Sequence, residues 1–201
     1  MLVLLLSFMR VLGIDPGLRL TGYGCVEVAR AGTHTIVEAG VFRLRRTDTE
    51  TGDAASVSTR LEELDKDFRD LLERVKPHAV AVEGLFAHPA HPNTATIMAH
   101  ARGVILLAIA QRKLTLLELK PALVKKFLTG SGRAEKHQMQ RGVQDYFRLA
   151  EPPSPPDVAD ALAIAICGAE RLRLGESAEL APALTSKKSR KRTLPRDILE
   201  R

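Results

Sequence analysis

The 201-residue chain contains no tryptophan, and aromatic residues make up only 4% of it. Hydrophobic residues still reach 45%. The core must therefore be aliphatic, and it is large enough for one globular domain with appendages. Cysteine is nearly absent. Cys25 and Cys167 both lie in apolar segments, which excludes a disulfide framework and a cysteine zinc cluster and points to reduced core thiols in a cytoplasmic protein. Long apolar runs are missing too. Met1 to Phe8 is too short to cross a membrane, with neither a basic region before it nor a small-residue cleavage site after it. A second start at Met9 sets residues 1–8 apart as an extension. No membrane association is expected.

Acids are outnumbered: 24 against 30 lysines and arginines, a net charge of +6. The excess is uneven. From Ala181 to Arg201 there are seven basic residues against two acids, so the body of the chain is about neutral. Within that body, residues 102–148 carry ten basic residues against three acids. A basic region balanced by acids elsewhere fits a nucleic-acid partner.

The chain opens with three strand patterns: Arg10 to Asp15, Gly22 to Ala29 and His34 to Leu44. Glycine and polar residues separate them, as in an antiparallel meander. Thr47 to Ser58 is polar and reads as a loop. Leu61, Leu64, Phe68, Leu71, Leu72 and Val75 fall at helical spacing, and Pro77 ends that helix. Ala79 to Glu83 is a buried strand, and the strand–helix–strand order predicts that it joins the sheet in parallel. A loop around His88 to Pro92 leads to a helix over Thr94 to Arg112. This helix is apolar on nearly every side, so it is buried or lies in a subunit interface. A strand (Leu114 to Leu119) and two short helices (Ala122 to Leu128, Ala134 to Leu149) follow. Pro152 to Pro156 is a stiff connector into the last helix, Asp157 to Arg173. Residues 9–175 form one domain on this reading, and the basic tail 176–201 is expected to be disordered.

Four acids stand out. Asp15 and Glu83 each end an apolar strand. Asp157 and Asp160 open the last helix at i, i+3, on one face with Ala161, Ile164 and Ala165. Acids on an apolar face are costly without a compensating cation or hydrogen-bond network. Each also has an ordinary explanation. Asp-Pro-Gly is a common turn, strand-end acids are usually solvated, and Asp157 suits a helix cap, though capping accounts poorly for Asp160. Brought together at one sheet edge, the four would repel one another unless they held one or two Mg²⁺ or Mn²⁺ ions. Paired ions of this kind activate water for phosphodiester cleavage.

Gly13-Ile-Asp-Pro-Gly17, Thr21-Gly-Tyr-Gly24, Glu83-Gly-Leu-Phe86, Ala101-Arg-Gly103, Ala134-Glu-Lys136 and Asp157-Val-Ala-Asp-Ala-Leu-Ala-Ile-Ala165 together resemble the RuvC family of Holliday-junction resolvases, in order, over residues 9–172. The resemblance implies an α/β, RNase H-like fold: a five-stranded mixed sheet flanked by helices. It implies a homodimer that resolves four-way DNA junctions by paired symmetric nicks, working with a branch-migration ATPase complex of the RuvA and RuvB type. The catalytic and metal-binding tetrad falls on Asp15, Glu83, Asp157 and Asp160, with two Mg²⁺ or Mn²⁺ ions per site. Phe86 matches an aromatic that presses on unstacked bases, and Lys125 and Lys136 match DNA-binding residues near the scissile phosphate. Arg102 needs a partner inside its apolar helix, and a carboxylate is favoured over DNA. His88 and His91 depart from the polar residues usual in that loop. Two rival readings are an RNase H-fold nuclease acting on structured RNA and a junction-binding scaffold that does not cut.

Overall fold

A computed structural model describes residues 8–17, 20–29, 31–43, 54–84 and 92–175. Among these, one five-stranded sheet runs through the molecule: β1 (Phe8–Asp15), β2 (Leu20–Ala29), β3 (His34–Arg43), β4 (Ala79–Glu83) and β5 (Thr115–Leu119), in spatial order β3-β2-β1-β4-β5. β1, β2 and β3 form the antiparallel meander, while β4 pairs in parallel with β1, and β5 with β4. The mixed five-stranded sheet is the one the resemblance implies. β1 begins at Phe8, paired with Ala29, and so reaches one residue into the stretch set apart as an extension.

The two faces are covered separately. Helix α1 (Ala54–Val75) and helix α2 (Pro92–Gln111) lie on one side, where Leu12, Ile14, Val80 and Val82 meet Leu64, Phe68, Leu71, Ile105 and Ile109. Helices α3 (Pro121–Thr129), α4 (Lys136–Phe147) and α5 (Pro156–Arg173) lie on the other, against Val11, Val26, Ala81 and Leu117. Alternate residues of each strand therefore feed different cores, as period-2 geometry requires. Eleven of the eighteen residues of α5 are buried. That helix is apolar all round because the sheet lies on one side and α3 and α4 on another.

One local expectation fails. The polar stretch 47–58 was expected to be a loop, but α1 already begins at Ala54. Ser58 and Thr59 are exposed and lie on the solvated side of its first turns. Val57, four residues before Leu61, packs against the core and continues the helical spacing. The rest of that stretch, and the tail from residue 176, lie outside the described residues.

Candidate active site

The end of β1 is where the first acid emerges. Val11 packs on the α5 side of the sheet, and Leu12 and Ile14 on the α1 side. Alternation then sends Gly13 and Asp15 toward α5. In β4 the same parity puts Ala79, Ala81 and Glu83 on the α5 side, with Val80 and Val82 opposite. The strands are parallel neighbours, with Ile14 beside Val82. Asp15 and Glu83 therefore leave the sheet at the same end and on the same face.

Two glycines bring α5 to them. A methyl built on Gly13 would lie 2.2 Å from the Ala161 carbonyl oxygen and 2.4 Å from the Ala165 nitrogen. One built on Gly22, which pairs with Asp15 across β1 and β2, would lie 2.2 Å from the Asp157 carbonyl oxygen. The helix thus rests on bare backbone, and its first turn comes down beside Asp15. Asp157 is not the cap of this helix. The N-cap is Pro155, without a side-chain cap bond, and Asp157 lies in the first turn.

All four acids keep part of their surface open to solvent. Burial is the largest cause that pushes the Asp15 pKa up to about 8, and the charges of Glu83, Asp160 and Asp157 add to it while Lys136 opposes them. Glu83 is pushed up to about 7, first by burial and then by Asp160, against Lys125. Burial also raises Asp160; Lys136 and Lys125 pull it back and Asp157 pushes it further up. The acids therefore feel one another as a group, and both lysines singled out from the sequence face that group. Among the described residues no three His, Cys, Asp or Glu side chains already meet as a formed ligand sphere, so the cluster is electrostatic. Its donors are all carboxylate oxygens, the set a hard divalent cation takes, and a cation would relieve the repulsion that raises these pKa values.

This charge pattern sets a pH dependence. Unfolded carboxylates release their protons near about pH 4, whereas folded Asp15 and Glu83 hold theirs up to about 8 and about 7. Between these limits the unfolded chain binds fewer protons, so raising the pH favours unfolding. His34, whose pKa is lowered chiefly by burial, acts in the opposite direction, but only below about pH 6.5. In a chelator, the thermal midpoint is therefore expected to fall from about pH 6.5 to 8. Saturating Mg²⁺ should reverse that fall. Melting curves at each pH check this, and a midpoint that stays flat in chelator contradicts the coupling.

The lysines are placed by their helices. Lys136 is the first residue of α4, whose start is fixed by a reciprocal box: the Glu135 N–H donates to Gln138 Oε1 at 2.8 Å, and the Glu135 side chain accepts from the Gln138 backbone. Lys125 lies half-buried on α3. Arg102 forms an ion pair with Glu118, the carboxylate partner expected of it. His137 is exposed and pairs with Glu135. Phe86, His88 and His91 lie outside the described residues. Thr21, which opens the Thr21-Gly-Tyr-Gly24 stretch, is a further residue that shapes the site. It is fully buried, accepts the Gly17 N–H at 3.2 Å and donates to the Gly17 carbonyl. Its hydroxyl closes the Asp15-Pro16-Gly17 turn on itself. A threonine four residues beyond the turn glycine was the available signal.

The family model described as crossover junction endodeoxyribonuclease RuvC matches residues 11–168. The chain belongs to the RuvC family. Family relatives include the crossover junction endodeoxyribonuclease of Moorella thermoacetica, 45% identical over 161 residues, covering 80% of this chain and 91% of that one. That of Caldicellulosiruptor saccharolyticus is 40% identical over 159 residues, covering 79% and 91%. Among solved structures, Thermus thermophilus RuvC in complex with Holliday junction substrate superposes with a TM-score of 0.71 at 32% identity, covering 83% of this chain and 96% of that one. Membership of the RuvC family implies a divalent-metal requirement. Among the described residues no helix is long and apolar enough to cross a membrane.

Proposed function

We propose that this protein is a junction-resolving endodeoxyribonuclease that cuts four-way DNA junctions by paired, symmetric nicks. The observation that carries the reading is the meeting of Asp15, Glu83 and the Asp157–Asp160 turn, from three separate elements, at one end of the central sheet. A DNA-binding surface gains nothing from carboxylates beside phosphates, whereas a hydrolytic site needs them. Asp15, Glu83, Asp157 and Asp160 would hold two Mg²⁺ or Mn²⁺ ions, which when bound supply an activated water and charge stabilisation for phosphodiester hydrolysis.

The chain's own contributions follow from position. Lys136 and Lys125 balance the acids and receive the phosphate's negative charge, so DNA enters a site that is otherwise repulsive. Phe86, two residues beyond Gly84, would stack on an unpaired base next to the cut, a contact worth about 1–3 kcal/mol. Two nicks related by symmetry need two sites related by symmetry, and α2 offers a face for the second copy. Ala101, Ile105, Ala108 and Ile109 are buried in the core, while Leu107 is 55% exposed and Gly103 has open space around it. The partner complex implied by the resemblance, a branch-migration ATPase of the RuvA and RuvB type, would deliver the junction to this dimer.

Incubation with a fixed synthetic junction, a nicked duplex and a structured RNA tests the proposal. With Mn²⁺ the junction is expected to give two symmetric nicks, the other substrates little or no product, and the protein to sediment at twice its 22.0 kDa chain mass. RNA cleaved in preference to the junction, or tight junction binding without product under any divalent ion, would overturn it.

A further inference from the structure

Glu83 is held from one side only. The pairing of β4 with β1 ends at Ile14 and Val82, so the last residue of β4 is paired with β5 alone, at Leu119. The next residue, Gly84, is buried and donates its N–H to the Leu119 carbonyl at 2.8 Å. Glu118, in register with Val82, leaves β5 on the α2 side of the sheet. There it covers Gly84: a methyl on that glycine would sit 3.2 Å from Glu118 Oε1. The other oxygen, Oε2, pairs with Arg102 Nη2 of α2. The Arg102 side chain is only 15% exposed, and its Nε is buried without a hydrogen-bond partner among the described residues. Loss of Glu118 would leave a largely buried cation without its countercharge, and loss of Arg102 would release the carboxylate over Gly84.

We infer that Arg102 and Glu118 are a positioning pair for Glu83, bracing the exit of β4 from the face opposite the carboxylates. The inference rests on the reading of Glu83 as a site residue given above. The pair lies on the face of the sheet opposite the carboxylates and acts through the backbone from which the Glu83 side chain departs. Ordering groups behind a ligand typically alter metal affinity or activity about 10–100-fold.

The test uses the full chain with Glu118→Gln, Arg102→Met and the exchanged pair Arg102→Glu with Glu118→Arg. Three quantities are measured: kcat and KM on a fixed junction, Mn²⁺ binding without DNA from the free-ion paramagnetic signal, and the thermal midpoint. Each single variant is expected to lose about 10–100-fold in kcat and in Mn²⁺ affinity, with KM for the junction within about twofold. The exchanged pair should recover most of both losses. If Arg102→Met does not fold, Glu118→Gln, a change at a 44% exposed side chain, carries the measurement. Single variants that keep wild-type kcat and Mn²⁺ affinity while only their midpoint falls would show a merely structural pair and overturn the inference. So would an exchanged pair as defective as either single variant. Wild-type chain that fails to cut the junction, or Asp15→Asn that cuts as well as wild type, overturns the site reading itself. If both controls behave and the pair variants cut normally, this inference alone falls.

Discussion

Asp15→Asn is expected to lower junction cleavage by about 10²–10³-fold, the scale on which removing one preorganised electrostatic group acts on such a reaction. Junction binding measured in chelator should be unchanged or tighter, because the substitution removes a negative charge from beside incoming phosphates. The thermal midpoint in chelator should rise at pH 8. Asp15 sits among Glu83, Asp160 and Asp157, whose charges together with burial hold its pKa at about 8. A neutral amide of the same shape relieves that repulsion. The three effects must appear together. An aspartate that merely closed the Pro16-Gly17 turn would give the opposite stability sign, since its loss would weaken the fold and leave the chemistry alone. A variant that cuts normally, or one that melts earlier than wild type in chelator, removes Asp15 from the site.

How much of this was open to sequence reading depended on distance along the chain. The parity of β1 and β4 is local: an acid two residues beyond Gly13 or Ala81 must share their face, and that could be read directly. The intervening helix predicted only that β4 joins the sheet in parallel; its pairing with β1 in particular was not legible. What puts Asp157 next to Asp15 is different in kind. Gly22 touches the Asp157 carbonyl across 135 positions, and no periodicity encodes such a contact. The motif glycines were visible, but their reason was not, because a bare backbone position has meaning only once the neighbour is known. The same holds for Arg102. Its isolation in an apolar helix announced the need for a carboxylate, yet Glu118 could be identified only when β5 took its place beside β4. At α1 local composition misled. The polar stretch ending at Ser58 looked like a loop because a solvated first turn and a loop share their residue types, and the contrary signal, Val57, is a single side chain.

Gly13→Ala is the larger expected effect on the fold itself. A methyl at this position would overlap the backbone of Ala161 and Ala165 at 2.2 and 2.4 Å. Backbone cannot rotate away as a side chain can, so α5 would have to lift by about 1 Å or more to restore ordinary contact distances. Most of α5 is buried, and its separation from the sheet would open gaps along Val11, Val26 and Ala81. A loss of about 3–5 kcal/mol is expected, at the high end for one methyl. Gly22→Ala acts at the end of the same helix, against Asp157 alone. There the first turn can shift without unseating the middle of α5, so stability should fall less, by about 1–3 kcal/mol. Cleavage below the midpoint should nevertheless drop by about 10²-fold, since a displacement of about 1 Å at the site is enough for that. Chemical denaturation and single-turnover cutting of both variants separate the two effects. If Gly13→Ala unfolds at the wild-type denaturant concentration, α5 does not rest on β1 as described, and the route by which Asp157 and Asp160 reach Asp15 is wrong.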